Sequence, residues 1–295
     1  MTIGRGIAYT AVIAILASLQ ACSPRQMIID GVASELASQG QSAEDDLLLA
    51  REASAFYLKL SESLLRQSPG NIKLAEAVAG GFTRYAFAFV AFEAERIEAT
   101  DSKAAQKLRQ RATVLYLRAH RHAMAALEQA SPGFAAALAS AAPTKWPRIT
   151  NEQIGIAYWA AASWGGYISL SKDNPDVVAD LPLAIRLARL AWEKQPDHAD
   201  GALSSLMGTF ETARPGGSQQ QAVTYFDRAI SASRGKSAGA YVGKAEGIFL
   251  PAGDRPSFEA LLRQAIVASA ARRDLENTLM RERAQWLLDS ADDLF

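Results

Sequence analysis

Breaks in this chain come at short intervals, and nothing between them is patterned as a strand. Pro69-Gly70, Pro143, Pro175, Pro196, Pro215-Gly216-Gly217 and Pro251 act as stops. Between them lie segments of roughly 12 to 28 residues rich in alanine, leucine, glutamine and arginine, the residues that lose least on entering a helix. No run of β-branched residues alternates with polar ones, so no hairpin forms around an Asn-Gly or Asp-Gly pair. Starts are as visible as stops. Thr150 with Gln153 and Ser218 with Gln221 are capping-box patterns, in which the hydroxyl serves one orphan amide and the glutamine returns to another. Ser131-Pro132 reads as a cap with proline at the first helical position, and Asp180 and Asp197 read as caps before apolar-periodic runs. The expected fold is all-α. Long helices over 42–67, 71–100 and 102–130 should pack as a bundle, with shorter hairpins from Thr150 onward stacked on it.

Small residues narrow the architecture. Ala184, Ala188, Ala191 and Pro196 keep the offsets of the second helix of a tetratricopeptide repeat, with proline closing the unit. Ala222, Phe226 and Ala229 repeat them, as do Ala112, Tyr116 and Ala119. Small side chains at these offsets let paired helices approach closely, and the large one plugs the groove between units. Met207-Gly208 and Trp164-Gly165 match the leucine-glycine positions of first helices. The pattern predicts a helical-hairpin array of degenerate tetratricopeptide-like repeats forming one compact α domain. An ordinary bundle with alanine-rich interfaces is the alternative. The sets are unevenly spaced, so a regular superhelix is not expected.

The amino terminus reads as an address. Arg5 is the one charge before an apolar run from Ile7 to Leu19. About 13 residues at ~1.5 Å each fall short of a ~30 Å hydrocarbon core, so the run reads as a signal-peptide core, not a span. Leu19-Gln20-Ala21-Cys22 resembles a bacterial lipobox, which implies cleavage before Cys22 and acylation of its thiol and new amine. A secretory signal with an incidental cysteine is the alternative. Ser23, with no aspartate there, favours the outer membrane over retention at the inner one. The expected organisation is a signal peptide at 1–21, a lipidated linker at 22–41 and an α domain at 42–295.

Much enzyme chemistry lacks its residues. Cys22 is the only cysteine, so no internal disulfide, thiolate zinc site or iron–sulfur cluster can form. Lysine plus arginine and aspartate plus glutamate number 31 each, which leaves no overall attraction to nucleic acid. His120 and His122 are two apart on a helix and project to different faces, and His198 belongs to a first helical turn beside Asp197 and Asp200. Gly235-Lys236-Ser237 lacks the earlier glycine and the preceding strand of a phosphate loop and reads as a solvated turn. Ala291-Asp292-Asp293 lacks the glycine and distal glutamate of a calcium loop. Neither a cofactor nor a metal is expected, and the chain does not read as an enzyme.

Two aromatic segments stand out. On a helix Trp159 and Trp164 are about 140° apart, so Tyr158 to Tyr167 carries aromatics on two faces. Such a helix is either fully enclosed or borders a cavity on one side. Tyr158, Trp159, Trp164 and Tyr167 are therefore the candidate ligand or pore residues. Phe82, Tyr85, Phe87, Phe89 and Phe92 surround most of another helix, which leaves room for an apolar passage or an oligomer contact.

Read in order, YWAAASWGGYISLSKDNPDVVADLP, KQPDHADGA, ARPGGSQQQAVTYFDRAISASRGKSAGAYV, FEALLRQAI and RERAQWLLDSADDLF resemble TatT. That is the T component associated with some tripartite ATP-independent periplasmic (TRAP) transporters. RYAFAFVAFEAE and RATVLYLRAHRHAM are similar too, so the likeness spans almost the whole expected mature chain. The resemblance implies a periplasm-facing lipoprotein of cryptic tetratricopeptide-like hairpins that forms a homotrimer, with a mostly apolar pore through each subunit. It further implies association with a periplasmic solute-binding P component and passage of a hydrophobic or amphipathic ligand toward a permease. Burying about 200 Å² of an acyl-like ligand is worth about 5 kcal/mol before ordering costs, which suits reversible handling. An envelope scaffold that grips partner proteins with its repeats is the competing reading; it expects a concave groove and no through-going cavity.

Overall fold

The computed structural model describes residues 31–32 and 46–295. Cys22, the leader, the linker apart from residues 31–32, and the start of the helix expected from Ser42 lie outside the described residues. Among the described residues every regular element is helical. The chain runs through α1 (Leu47–Gln67), α2 (Ile72–Ala86), a π-helical turn (Phe87–Ala91), α3 (Phe92–Ile97), α4 (Ser102–Ala130) and α5 (Phe134–Ala139). It continues through α6 (Ile154–Ser169), α7 (Pro175–Val178), α8 (Leu181–Lys194), α9 (Ala202–Ala213) and α10 (Gln219–Ala232). The last elements are α11 (Ala238–Lys244), a second π-helical turn (Ala245–Phe249), α12 (Arg255–Ala271), α13 (Leu275–Asp289) and α14 (Ala291–Leu294).

Among the described residues, side-chain caps set seven of the fourteen α-helix starts. Asp46 accepts from the amides of Leu48 and Leu49, Asn71 from Leu74, Asp101 from Ala104 and Asp274 from Asn277. The Thr150–Gln153 box forms, but it opens a single 3-10 turn that leads into α6. Three local expectations give way to longer-range partners. Ser218 caps Gln221, yet its own amide donates to Glu211 instead of to the Gln221 side chain. Ser131 does not cap: α5 starts after Gly133, and the Glu128 carboxylate reaches forward from α4 to accept from Gly133 and Ala135. Asp197 leaves its helix altogether and pairs with Arg228. Left-handed Ala199, Asp200 and Gly201 then delay α9 to Ala202, which puts His198 in the turn before it.

The longer helices pack in chain order, from α1·α2 through α2·α4, α4·α6, α6·α8, α8·α9 and α9·α10 to α11·α12 and α12·α13. Small residues carry these contacts. Ala112, Ala119, Ala184, Ala188, Ala191, Ala222 and Ala229 are all wholly buried, as is Phe226, and Tyr116 is nearly so. A Cβ at Gly208 would lie 2.9 Å from the Phe226 ring, and one at Gly166 would lie 2.6 Å from Tyr116. Glycine is thus what lets these helices close on the next aromatic. Such approach follows from side-chain size and holds for any helical-hairpin array, tetratricopeptide-like or not.

Candidate functional site

The array curls back on itself. Helix α13 returns to the amino-terminal hairpin, where it touches α1, and its Trp286 meets Phe92 edge-on at 5.5 Å. Arg283, also on α13, is the clasp. It donates to Glu246 from two nitrogens at 3.0 and 2.7 Å and to Glu95 at 2.8 Å. Its guanidinium also lies 5.1 Å from the Phe92 ring and 5.6 Å from Phe87. The two carboxylates outweigh burial and raise its pKa, so Arg283 stays charged.

Closure leaves two partly open cavities between the helices. A cavity of about 120 Å³ lies between α1, α2, the first π-turn and α13, walled mainly by Tyr57, Leu58, Tyr85, Phe87, Phe89 and Leu279. A second, of about 440 Å³, lies between α6, α9, α11, the second π-turn and α13, with Tyr158, Leu206, Val242 and Arg283 among its walls. The second is within the size range of ordinary ligand sites. Phe87, Glu276 and Met280 border both, so the two cavities abut at these three side chains. Both π-turns contribute wall residues: Phe87 to Phe89 from the first, Glu246 and Gly247 from the second. A π-turn inserts one residue into a helix and re-aims the side chains beyond it, and such turns concentrate at functional positions.

Two charges face this space. Arg84 borders the smaller cavity, and its guanidinium sits 4.7 Å above the Trp159 indole. Gly80, one turn earlier on α2, makes that stack possible: a Cβ there would fall 2.7 Å from Cε2 of Trp159. Among the described residues, Arg84 has no hydrogen-bond partner, and no carboxylate lies within 4.0 Å of it. Glu276, in the first turn of α13, is exposed to solvent and borders both cavities. Burial raises the Glu276 carboxyl pKa, with Arg84 opposing, and burial lowers that of Arg84, with Glu276, Tyr158 and Glu76 opposing. Glu76 and Tyr158 are likewise pushed up by burial.

The candidate aromatics disperse. Tyr158 borders the larger cavity and meets the His198 ring edge-on at 5.9 Å. Trp159 turns to α2 beneath Arg84, outside the walls of both cavities. Trp164 is buried against His120, with ring centres 4.4 Å apart, and His120 contacts the Ala160 carbonyl oxygen at 3.2 Å. Tyr167 is half-buried and borders neither cavity. Sequence reasoning missed Arg84, Glu276 and Met280. Arg84 carried a usable signal, since it is a lone charge inside FTRYAFAFVAF, where every helical face is apolar. Glu276 sits in a charge-rich segment and carried none. Among the described residues no cluster of histidine, cysteine and carboxylate groups is arranged for a metal. Both linings are mostly apolar.

Residues 43–295 match the protein family described as TRAP transporter T-component. A protein of Treponema pallidum (strain Nichols), described as uncharacterized, is 26% identical over 262 residues, or 85% of this chain and 81% of that protein.

Proposed function

This chain belongs to the TRAP transporter T-component family, and from that premise we propose that its two abutting cavities carry a hydrophobic or amphipathic ligand. Membership makes the chain an envelope-associated accessory of TRAP transport, in a family of transport components and not of enzymes. Among the described residues no helix is long and apolar enough to cross a membrane. Acylation of Cys22, with the linker at 22–41 as tether and 42–295 as the α domain, supplies the attachment in this reading, on the periplasmic face of the outer membrane. The ligand is held by shape and apolar contact with no bond made or broken, then handed to a solute-binding P component.

The observation that carries the reading is the junction at Phe87, Glu276 and Met280, where one cavity ends and the other begins. An assembly scaffold needs no such interior. Self-association, as a trimer, has a candidate surface on α1. There Leu49, Phe56 and Leu60 form one stripe with exposures of 55%, 67% and 39%. The test of the conduit is isothermal titration with dodecan-1-ol of the unmodified chain and of Met280→Trp, which fills the junction. Binding to the first and at least about tenfold weaker binding to the second, with both folded, supports the reading. Equal affinity for both contradicts it.

A further inference from the structure

Arg84 is an anomaly in a greasy interior. An arginine enclosed by protein ordinarily meets a carboxylate or a set of carbonyl oxygens, because an unpartnered charge in low dielectric costs several kcal/mol. Two other arginines among the described residues follow that rule. Arg283 has Glu246 and Glu95, and Arg186, half-buried, donates to the Leu138 and Ser140 carbonyls. Arg84 has the face of Trp159 and nothing else. The stack fixes the guanidinium plane and satisfies none of its five N–H donors. Arg84 itself lines the smaller cavity, whose other walls include Leu58, Phe87, Phe89, Leu279 and Met280. The surrounding acids do not take up its donors: Glu276 and Glu76 both lie beyond ion-pairing reach.

We propose that Arg84 is the headgroup site of the conduit: it receives the carboxylate of an aliphatic acid whose tail lies among Leu58, Phe87, Phe89 and Met280. A planar guanidinium matches a planar carboxylate with two parallel N–H···O bonds, which a fixed stack on Trp159 preorganises. The alkyl chain then runs toward Met280 and the larger cavity. Glu276 lines the same cavity and disfavours a second anion, so one headgroup is taken per passage. The inference rests on the conduit reading above and specifies its ligand as an amphiphilic acid.

Titration of the full chain with dodecanoate, dodecan-1-ol and dodecyltrimethylammonium tests it, since the three share a tail and differ at the head. Dodecanoate is expected to bind about tenfold tighter than the alcohol, the strength of a hydrogen bond to a charged group, and the cation weakest. In Arg84→Met, which keeps the stem and removes the charge, the preference for dodecanoate over the alcohol should disappear. Arg84→Lys should recover only part of the preference, because an ammonium cannot make the paired contact. If Arg84→Met does not fold, the ranking on the unmodified chain still decides: equal affinities, or a tighter cation, overturn the headgroup site. A preference for dodecanoate that survives in Arg84→Met overturns it as well. Three equal affinities sink this inference alone, whereas absence of binding by all three sinks the conduit with it.

Discussion

Glu62 sits in the core with its side chain 4% exposed, and four cations or donors converge on it. Arg118 meets both oxygens, Lys59 approaches to 2.8 Å, His122 to 2.9 Å and Arg66 to 3.7 Å. Burial raises the Glu62 pKa, but the hydrogen bonds from Arg118, Lys59 and His122 outweigh it and pull the value down to about 2. A depressed carboxylate stabilises the fold above its unfolded value and loses that contribution as pH falls. The protein should therefore lose stability between about pH 4.5 and about pH 2. Glu62→Gln, uncharged throughout, should cost about 1–3 kcal/mol at pH 7 and show a flatter decline across that interval. Urea unfolding at pH 7, 4 and 3 measures both; parallel declines would show that Glu62 is not the titrating group. Glu276 is the converse case, a carboxyl with no donor in reach and a raised pKa. Sequence does not distinguish the two glutamates. Both lie in ordinary charged stretches of a helix, and the difference comes from what distant helices bring: Arg118 and His122 to one, a cavity to the other.

Among elements, those ruled by local rules were legible and those ruled by closure were not. Helix α4 occupies Ser102–Ala130, the bounds expected for it, and α1 ends at Gln67 before Pro69. The stretch expected as one helix over 71–100 is interrupted by a π-turn at Phe87–Ala91, and a second lies at Ala245–Phe249. Nothing local announces either. Both turns face Arg283, the first through Phe87 and the second through Glu246, so they follow from how α13 docks. The clasp predicts an element-level effect. Arg283→Met keeps the apolar stem over Phe92 and Trp286 but abandons two carboxylates that remain partly solvated, for a loss of about 1.5–3 kcal/mol. Amide exchange in α12 and α13 should quicken while that in α4 and α6 stays slow. Uniform quickening would mean that the carboxyl-terminal hairpin is not a separable closing element.

At the scale of the whole molecule, a helical array with a free end would have a groove, and one whose last hairpin returns to its first has an interior. The sequence supports the array, through alanines and glycines such as Ala184, Ala222 and Gly208. It gives no warning of the return, because Phe92 and Trp286 meet from opposite ends of the chain. For the same reason the sequence left the aromatic helix at Tyr158 to Tyr167 as either enclosed or bordering a cavity; of its four candidate aromatics Tyr158 borders the larger cavity. The surface has its own consequence. If the Leu49, Phe56 and Leu60 stripe joins subunits, Phe56→Glu should convert the oligomer to monomer in light scattering with the fold intact; an unchanged mass would place the interface elsewhere. A crystal grown with 12-bromododecan-1-ol tests the interior. An anomalous bromine peak is expected inside the array, within the walls shared by Phe87 and Met280 or in the cavities on either side of them. Bromine found solely on the outer surface, with both cavities holding water alone, would contradict the conduit.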